Sequence, residues 1–260
     1  MDAAFFGDST RQAVKSWAAQ RDIALGELTR ILEGSPANAM DRRWSLAPKQ
    51  QPTVYFPGLR ASPFWDVSNF PWASQIEAAV DSIRTEYTSC LSLSERTRLS
   101  PSFRTDGGNW SVRYITCIGR FDKRALQHYP STVEALSSPP GALGCGMTYF
   151  SSIAPNTHIL PHSGFTNAHL RCHLALSTSE GCRIRVDGET RSWASGKLLI
   201  FDDTFEHEVW NESSNARVVL LFDVFHPDLS VSECRALEFL ASVWRRTIML
   251  RGLYREMTIL

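Results

Sequence analysis

The chain has 260 residues, Lys+Arg 27 balanced by Asp+Glu 27, and 43% hydrophobic residues, which suits one large or two small globular domains with a full core. The zero net charge gives no hint of nucleic acid or an anionic membrane, neither of which is expected as a partner, and no stretch approaches the ~20 apolar residues of a membrane span. The N-terminus lacks a basic, then apolar, secretory pattern and the 6 cysteines show no CxxC pair, so a cytoplasmic protein with reduced thiols and no structural zinc is expected.

The first predicted element is a helix from about Arg11 to Leu32, with Val14, Trp17, Leu25, Leu28, Ile31 and Leu32 at helical spacing and Gly34-Ser35-Pro36 ending it. A polar loop with Pro48 and Pro52 leads into Val54–Leu59. These first 50 residues read as a helical extension before a single domain over 51–260. A second helix begins near Pro71 and buries Trp72, Ile76, Ala79, Val80 and Ile83. From Trp110 the pattern changes to short β-rich runs: Val112–Ile118, Met147–Ile153, Leu170–Leu176, Arg183–Val186, Leu198–Phe201 and Val218–Val224. Many short strands separated by polar turns predict a sandwich or barrel over about 110–228. The segment Arg120–Gly146, with Pro130, Pro139 and Pro140, reads as a long loop over the barrel mouth. Ser230-x-x-Glu233 resembles a capping box opening a last helix over about 231–252, with Leu237, Leu240, Val243, Trp244 and Ile248 inward.

The chemistry concentrates between Pro161 and Pro227. His162 stands in Pro161-His162-Ser163-Gly164 and His207 in Phe205-Glu206-His207-Glu208. Imidazole suits iron, and a pair of histidines on strand ends could form part of a facial iron site with open positions. The carboxylate that usually completes such a site is missing, because Gly164 stands in its place. On the predicted strand Leu170–Leu176, Arg171 and His173 share a face with Ala175. On the strand Val218–Val224 and its flanks, Arg217, Val219, Leu221 and Asp223 share a face. A buried Arg and His side by side are costly unless an anion meets them, and the planar fork of Arg217 could clamp a carboxylate. His128, His158 and His226 read as ordinary surface or core residues. Asp202, Asp203, Glu206 and Glu208 could form an acidic metal site with His207, but turn carboxylates are usually solvated. Arg183 and Arg185 read as a solvated sheet face.

These residues, with Leu170-Arg171-x-His173-Leu174, Gly188-Glu189-Thr190-Arg191-x-Trp193, Leu199-Ile200-Phe201-Asp202-Asp203, Phe205-Glu206-His207-Glu208-Val209-Trp210-Asn211 and Asp223-Val224-x-His226-Pro227, resemble the aspartyl/asparaginyl β-hydroxylases. The likeness is specific from His158 to Leu229 and weaker from Tyr55-Phe56-Pro57-Gly58-Leu59 onward. It implies a mainly β, double-stranded β-helix (jelly-roll, cupin-like) core with flanking helices, and the use of Fe(II), 2-oxoglutarate and O2. It also accounts for Gly164, since the family binds iron through two histidines alone. By resemblance His162 and His207 are the iron ligands, and Ser151 and Arg217 bind the distal carboxylate of 2-oxoglutarate. Arg171 and His173 then lie at its metal end or at a substrate carboxylate. The reaction implied is hydroxylation of an unactivated C–H, with release of succinate and CO2.

Two departures bear on the substrate. The animal enzymes acting on EGF-like domains carry a helical-repeat domain before the oxygenase, and too few residues precede Val54 here for such an array. They also have an arginine where this chain has His169. The expectation is therefore a small-molecule, amino-acid or short-peptide substrate, met in part by His169, with the oligomeric state left open. The alternatives are hydroxylation of protein Asp or Asn side chains and a non-catalytic 2-oxo-acid-binding protein.

Overall fold

The computed structural model describes residues 6–36, 49–91, 98–99, 104–122, 124–144 and 146–250. Eight strands make the barrel: β1 Met147–Ile153, β2 Thr157–His162, β3 His169–Ser177, β4 Cys182–Val186, β5 Glu189–Ser192, β6 Leu198–Phe201, β7 His207–Asn211 and β8 Arg217–Phe225. They form two antiparallel sheets. The larger has the order β6-β3-β8-β1, extended by Phe64–Trp65 beside β6 and by Trp110–Cys117 beside β1. The smaller has the order β5-β4-β7-β2, with Thr105–Asp106 at its edge. The chain crosses from sheet to sheet as it advances, which defines the expected double-stranded β-helix.

The period-2 alternation seen in the sequence separates two cores. Leu170, Cys172, Leu174 and Leu176 of β3 and Val218, Leu220, Phe222 and Val224 of β8 face outward and are buried under Ile76, Ile83 and Tyr87 from the helices Ala73–Ala78 and Val80–Ser89. Ala175, Val219, Leu221 and Tyr149 face inward against Ile159, Ile184, Val186 and Val209 of the smaller sheet. Each large apolar side chain so buried contributes about 1.5–3 kcal/mol, and a one-residue slip would exchange the two faces.

Two expectations are corrected. The single helix over Arg11–Leu32 is in fact Asp8–Ala19 followed by a 3-10 turn at Leu25–Leu28 and a short helix at Thr29–Glu33. The break comes where the N–H groups of Arg21 and Ile23 both donate to the Ala18 carbonyl and Asp22 takes a left-handed φ of 52°. Helical spacing persisted across the break because both pieces bury their apolar side in one cluster, where Val14, Trp17, Leu28 and Ile31 meet Leu237, Leu240 and Trp244 of the C-terminal helix. Arg120–Gly146 is not a loop over the mouth. It carries the helices Ala125–His128 and Pro130–Ala135, and its Tyr129, Ala135, Leu136 and Ala142 pack into the outer core. The Glu86 carboxylate accepts from the Ser131 and Thr132 N–H groups at 2.6 and 2.9 Å, neutralising the donors at that helix start.

The C-terminal helix spans Val231–Leu250 and opens with the predicted capping box: Ser230 N–H donates to Glu233 at 2.8 Å, and Glu233 N–H to Ser230 Oγ at 3.2 Å. Arg30 donates to both Glu233 oxygens, fastening the N-terminal helices to it. The polar stretch around Pro48 and the side chain of Ile248 lie outside the described residues.

Candidate active site

His162 ends β2 and His207 opens β7, and the register of these two antiparallel strands sets them directly opposite each other. Their ring centroids are 4.2 Å apart. His162 Nδ1 donates to the Leu160 carbonyl at 2.8 Å and His207 Nδ1 to the Phe205 carbonyl at 3.0 Å. A proton held at Nδ1 leaves the Nε2 lone pair of each ring free to ligate. Both rings are kept neutral. Burial, aided by the Arg171 charge, lowers the His162 pKa to about 4, and burial and the neighbouring His162 hold His207 well below its ordinary value. Neutral imidazoles with anchored Nδ1 and free Nε2 fit a metal such as iron.

Gly164 is occupied territory. A Cβ built there would lie 2.1–2.3 Å from the carboxylate atoms of Asp203, and Gly164 N–H donates to the Asp203 carbonyl at 2.6 Å. The place of the carboxylate missing after His162 is taken by the carboxylate of Asp203, in the turn between β6 and β7. Asp203 is buried, and Arg171 holds it at 2.8 Å. Arg171 also donates to Asp223 at 2.9 and 3.3 Å, and these two residues are cross-strand partners in β3 and β8. Burial works against the Arg171 charge, but Asp203 and Asp223 outweigh it and keep the guanidinium ionised. The residue reasoned about as free to meet a ligand carboxylate is thus already paired twice within the protein.

A second polar cluster lies on the same inner face. Arg217 is 1% exposed, its Nε has no hydrogen-bond partner, and no acidic side chain pairs with it among the described residues. Burial lowers its pKa to about 10, which leaves it cationic. Arg217 Nη1 donates to Ser151 Oγ at 3.4 Å, and Trp110 Nε1 donates to the same oxygen at 3.0 Å. With both lone pairs engaged, Ser151 has its hydroxyl proton left to donate. The Arg217 guanidinium lies 4.2 Å over the Trp193 ring, and His173 stacks against Trp193 with ring centroids 5.9 Å apart. Both nitrogens of buried His173 and Nε1 of Trp193 lack partners. Buried polar atoms are rarely left unpaired. A buried cation with its own Nε unused, beside three further unused nitrogens of His173 and Trp193, matches a small carboxylate-bearing molecule, and the donor set fits 2-oxoglutarate.

His169 lies one inward step from Arg171 on β3, with its ring 5.7 Å from Phe225. Burial lowers its pKa, against the pull of Asp223. Two further histidines have partners elsewhere. His226 bonds the Arg60 carbonyl and the Asp228 N–H, and His158 stacks on Trp210 and bonds Glu208 at 2.7 Å. The alternative acidic metal site is not assembled. Asp202 bonds Gln50 and Thr204, while Glu206 and Glu208 pair with Arg185. Among the described residues no group of three or more His, Cys, Asp or Glu side chains could hold a metal. Arg183 pairs with Glu212 on the outer face, as expected of a solvated sheet surface. Sequence reasoning missed the roles of Asp203, Asp223 and Trp193. All three stand in the quoted motifs, but their partners are 32, 52 and 24 residues away in the chain, respectively Arg171, Arg171 and Arg217 (203−171, 223−171, 217−193).

A facing histidine pair thus stands at the end of a double-stranded β-helix, and inside the barrel lies a buried arginine with no acidic partner among the described residues. A family profile described as aspartyl/asparaginyl beta-hydroxylase matches residues 77–227, more than half of the chain. The chain belongs to that family. It is 35% identical over 187 residues to the human protein named aspartyl/asparaginyl beta-hydroxylase, covering 69% of this chain and 25% of that one. It is 32% identical to human aspartate beta-hydroxylase domain-containing protein 2, covering 74% and 55% respectively. To the Rhizobium tropici ornithine lipid ester-linked acyl 2-hydroxylase it is 33% identical, covering 64% and 61%. The chain thus spans less than two thirds of the length of each of these relatives. A solved Pseudomonas putida prolyl-4-hydroxylase aligns with a TM-score of 0.38 at 14% identity over 56% of this chain and 87% of that one, too loosely to add to the strand order. Among the described residues no helix is long and apolar enough to cross a membrane.

Proposed function

We propose that this chain is an Fe(II)- and 2-oxoglutarate-dependent hydroxylase. The observation that carries the reading is the presence, within one barrel, of two Nδ1-anchored imidazoles on the smaller sheet and, on the larger, a buried guanidinium that lacks an internal carboxylate. His162 and His207 would hold the iron through Nε2. Arg217 and Ser151 would bind the distal carboxylate of 2-oxoglutarate, Arg217 by charge and Ser151 by its remaining hydroxyl proton. His173, neutral and unpartnered, would meet the cosubstrate between Arg217 and the metal. Arg171 acts indirectly, by holding the Asp203 carboxylate against Gly164. Bound iron, 2-oxoglutarate and oxygen would supply the oxidising power, one oxygen atom going to the substrate C–H and the other to succinate, with release of CO2. The protein's part is to keep both rings neutral, orient the dicarboxylate, and line the barrel with Ile159, Ile184, Val209 and Leu221 so that water is excluded.

The names of the relatives favour an aspartyl or asparaginyl side chain as the hydroxylated group, and this is the reading adopted for the substrate. A small molecule or free amino acid is the second reading, favoured by His169, whose neutral ring offers an acidic side chain no charge. Purified protein with Fe(II), ascorbate and 2-oxoglutarate should form succinate, and His162→Ala should not. A peptide panel containing EGF-like sequences should show a product heavier by one oxygen atom at Asp or Asn. Absence of succinate formation by the wild type would overturn the enzyme reading. Succinate formation with no modified peptide would move the substrate to the second reading.

A further inference from the structure

A guanidinium buried to 1% exposure normally has a carboxylate partner, because an uncompensated charge in a dry interior is costly. Arg171, on the neighbouring strand β3, follows that rule with two, Asp203 and Asp223. Arg217 does not. Among the described residues it meets only the Ser151 hydroxyl oxygen and the face of Trp193, 4.2 Å from the guanidinium carbon, as close as exposed Arg191 lies to the Phe64 ring and closer than the 4.8–5.5 Å that separates Arg183, Arg21, Arg60, Arg11 and Arg113 from their rings. The negative face of an indole attracts a cation without cancelling its charge. Trp193 is itself fixed by burial and by His173 stacked against it at 22°.

We propose that Trp193 is a positioning residue for the anion site: its ring face holds the Arg217 guanidinium in place of a carboxylate, so that the whole positive charge remains for an incoming dicarboxylate. An aspartate or glutamate at this place would satisfy Arg217 internally and compete with the ligand. An aliphatic residue would leave the charge unsupported and free to turn from Ser151. The indole is the neutral support that avoids both. This inference rests on the 2-oxoglutarate reading and adds a residue which that reading does not need.

The test is calorimetric titration of full-length protein, loaded with Mn(II), with 2-oxoglutarate and separately with succinate. Trp193→Leu should weaken 2-oxoglutarate binding roughly tenfold to thirtyfold, and Trp193→Phe, which keeps a weaker ring face, by no more than about fivefold. Succinate, which has no 2-oxo group to reach the metal, should lose affinity in the same order. Replacing Trp193 alone by mono- and difluorotryptophan keeps its size while draining the ring face, and affinity should fall step by step with fluorination. That graded series decides the matter even where Trp193→Leu fails to fold, since a purely packing role predicts no trend. Wild-type protein that binds neither ligand would overturn the 2-oxoglutarate reading. Wild-type binding with unchanged affinity across the fluorinated series would overturn the role of Trp193 and leave that reading standing.

Discussion

Adding a single methyl group at Gly164 tests how the site replaces its missing carboxylate. A Cβ there would meet the Asp203 carboxyl carbon and oxygens at 2.1–2.3 Å, whereas ordinary contacts begin near 3.4 Å, so atoms must part by more than 1 Å. The obstacle cannot swing aside cheaply. Asp203 is buried, bonded to Arg171 at 2.8 Å, and its carbonyl accepts the Gly164 N–H. Overpacking costs about 1–3 kcal/mol, and breaking a buried ion pair from one side about 3–5. Because Asp223 still pairs with Arg171, the lower part of the combined range applies, about 3 kcal/mol, or a fall on the order of 10 °C in melting temperature. Gly164→Asp, which writes the usual third ligand back into the sequence, should be at least as destabilising as Gly164→Ala and should not raise metal affinity. Adding Asp203→Ala to Gly164→Ala should recover part of the loss, since the clash is removed. Thermal melts with circular dichroism and metal titration read all three. A Gly164→Ala protein that melts like wild type, or a Gly164→Asp protein that binds metal more tightly, would refute the reasoning.

Other consequences can be measured separately. Arg217→Met should lose at least tenfold in 2-oxoglutarate affinity while its melting temperature stays level or rises, because a buried charge without an acidic partner is removed. A marked loss of stability would show that Arg217 is structural. Asn211 is fully buried, and its amide donates to the carbonyls of Ile153, Ala154 and Asn215 while its oxygen accepts from Ser213. Asn211→Ala should cost about 2–4 kcal/mol in urea denaturation by stranding those groups, and a loss under about 1 kcal/mol would contradict this accounting. The folded His162 pKa of about 4 lies below its ordinary 6.5, so the unfolded chain binds the extra proton. Its contribution to stability is therefore complete above pH 6.5 and is lost as pH falls toward 4, by up to about 1.4 kcal/mol per pH unit. In metal-free protein, His162→Gln should flatten the urea-midpoint slope between those pH values, and an unchanged slope would mean the histidine is not buried in its neutral form.

The strand faces could be read locally. Alternation along Leu170–Leu176 and Arg217–Val224 puts Arg171 with His173 on one face and Arg217 with Val219, Leu221 and Asp223 on one face, because side-chain direction in a strand depends only on parity. The capping box at Ser230 and Glu233 was equally legible, since both residues lie within one turn. The break at Asp22 was not. Helical spacing reports which side of the chain is apolar, and two separate helices packed on one partner preserve it. The short helices at Ala125–His128 and Pro130–Ala135 escaped because a segment of this length forms through tertiary packing and the distant Glu86 carboxylate, neither of which leaves a local pattern.

By itself the sequence determined which residue types share a strand face, the two histidines and the arginine proposed as the site, and the family. Only the tertiary structure decided how the charges are paired. Arg171 and Arg217 look alike in the chain, each an arginine on the inner face of an apolar strand. Folding brings Asp203 and Asp223 to one and leaves the other a tryptophan ring, because Coulomb energy depends on separation in space and on the dryness of the surroundings, and neither is encoded in residue spacing. The same holds for Gly164, an absence in the sequence that the fold fills with the carboxylate of Asp203.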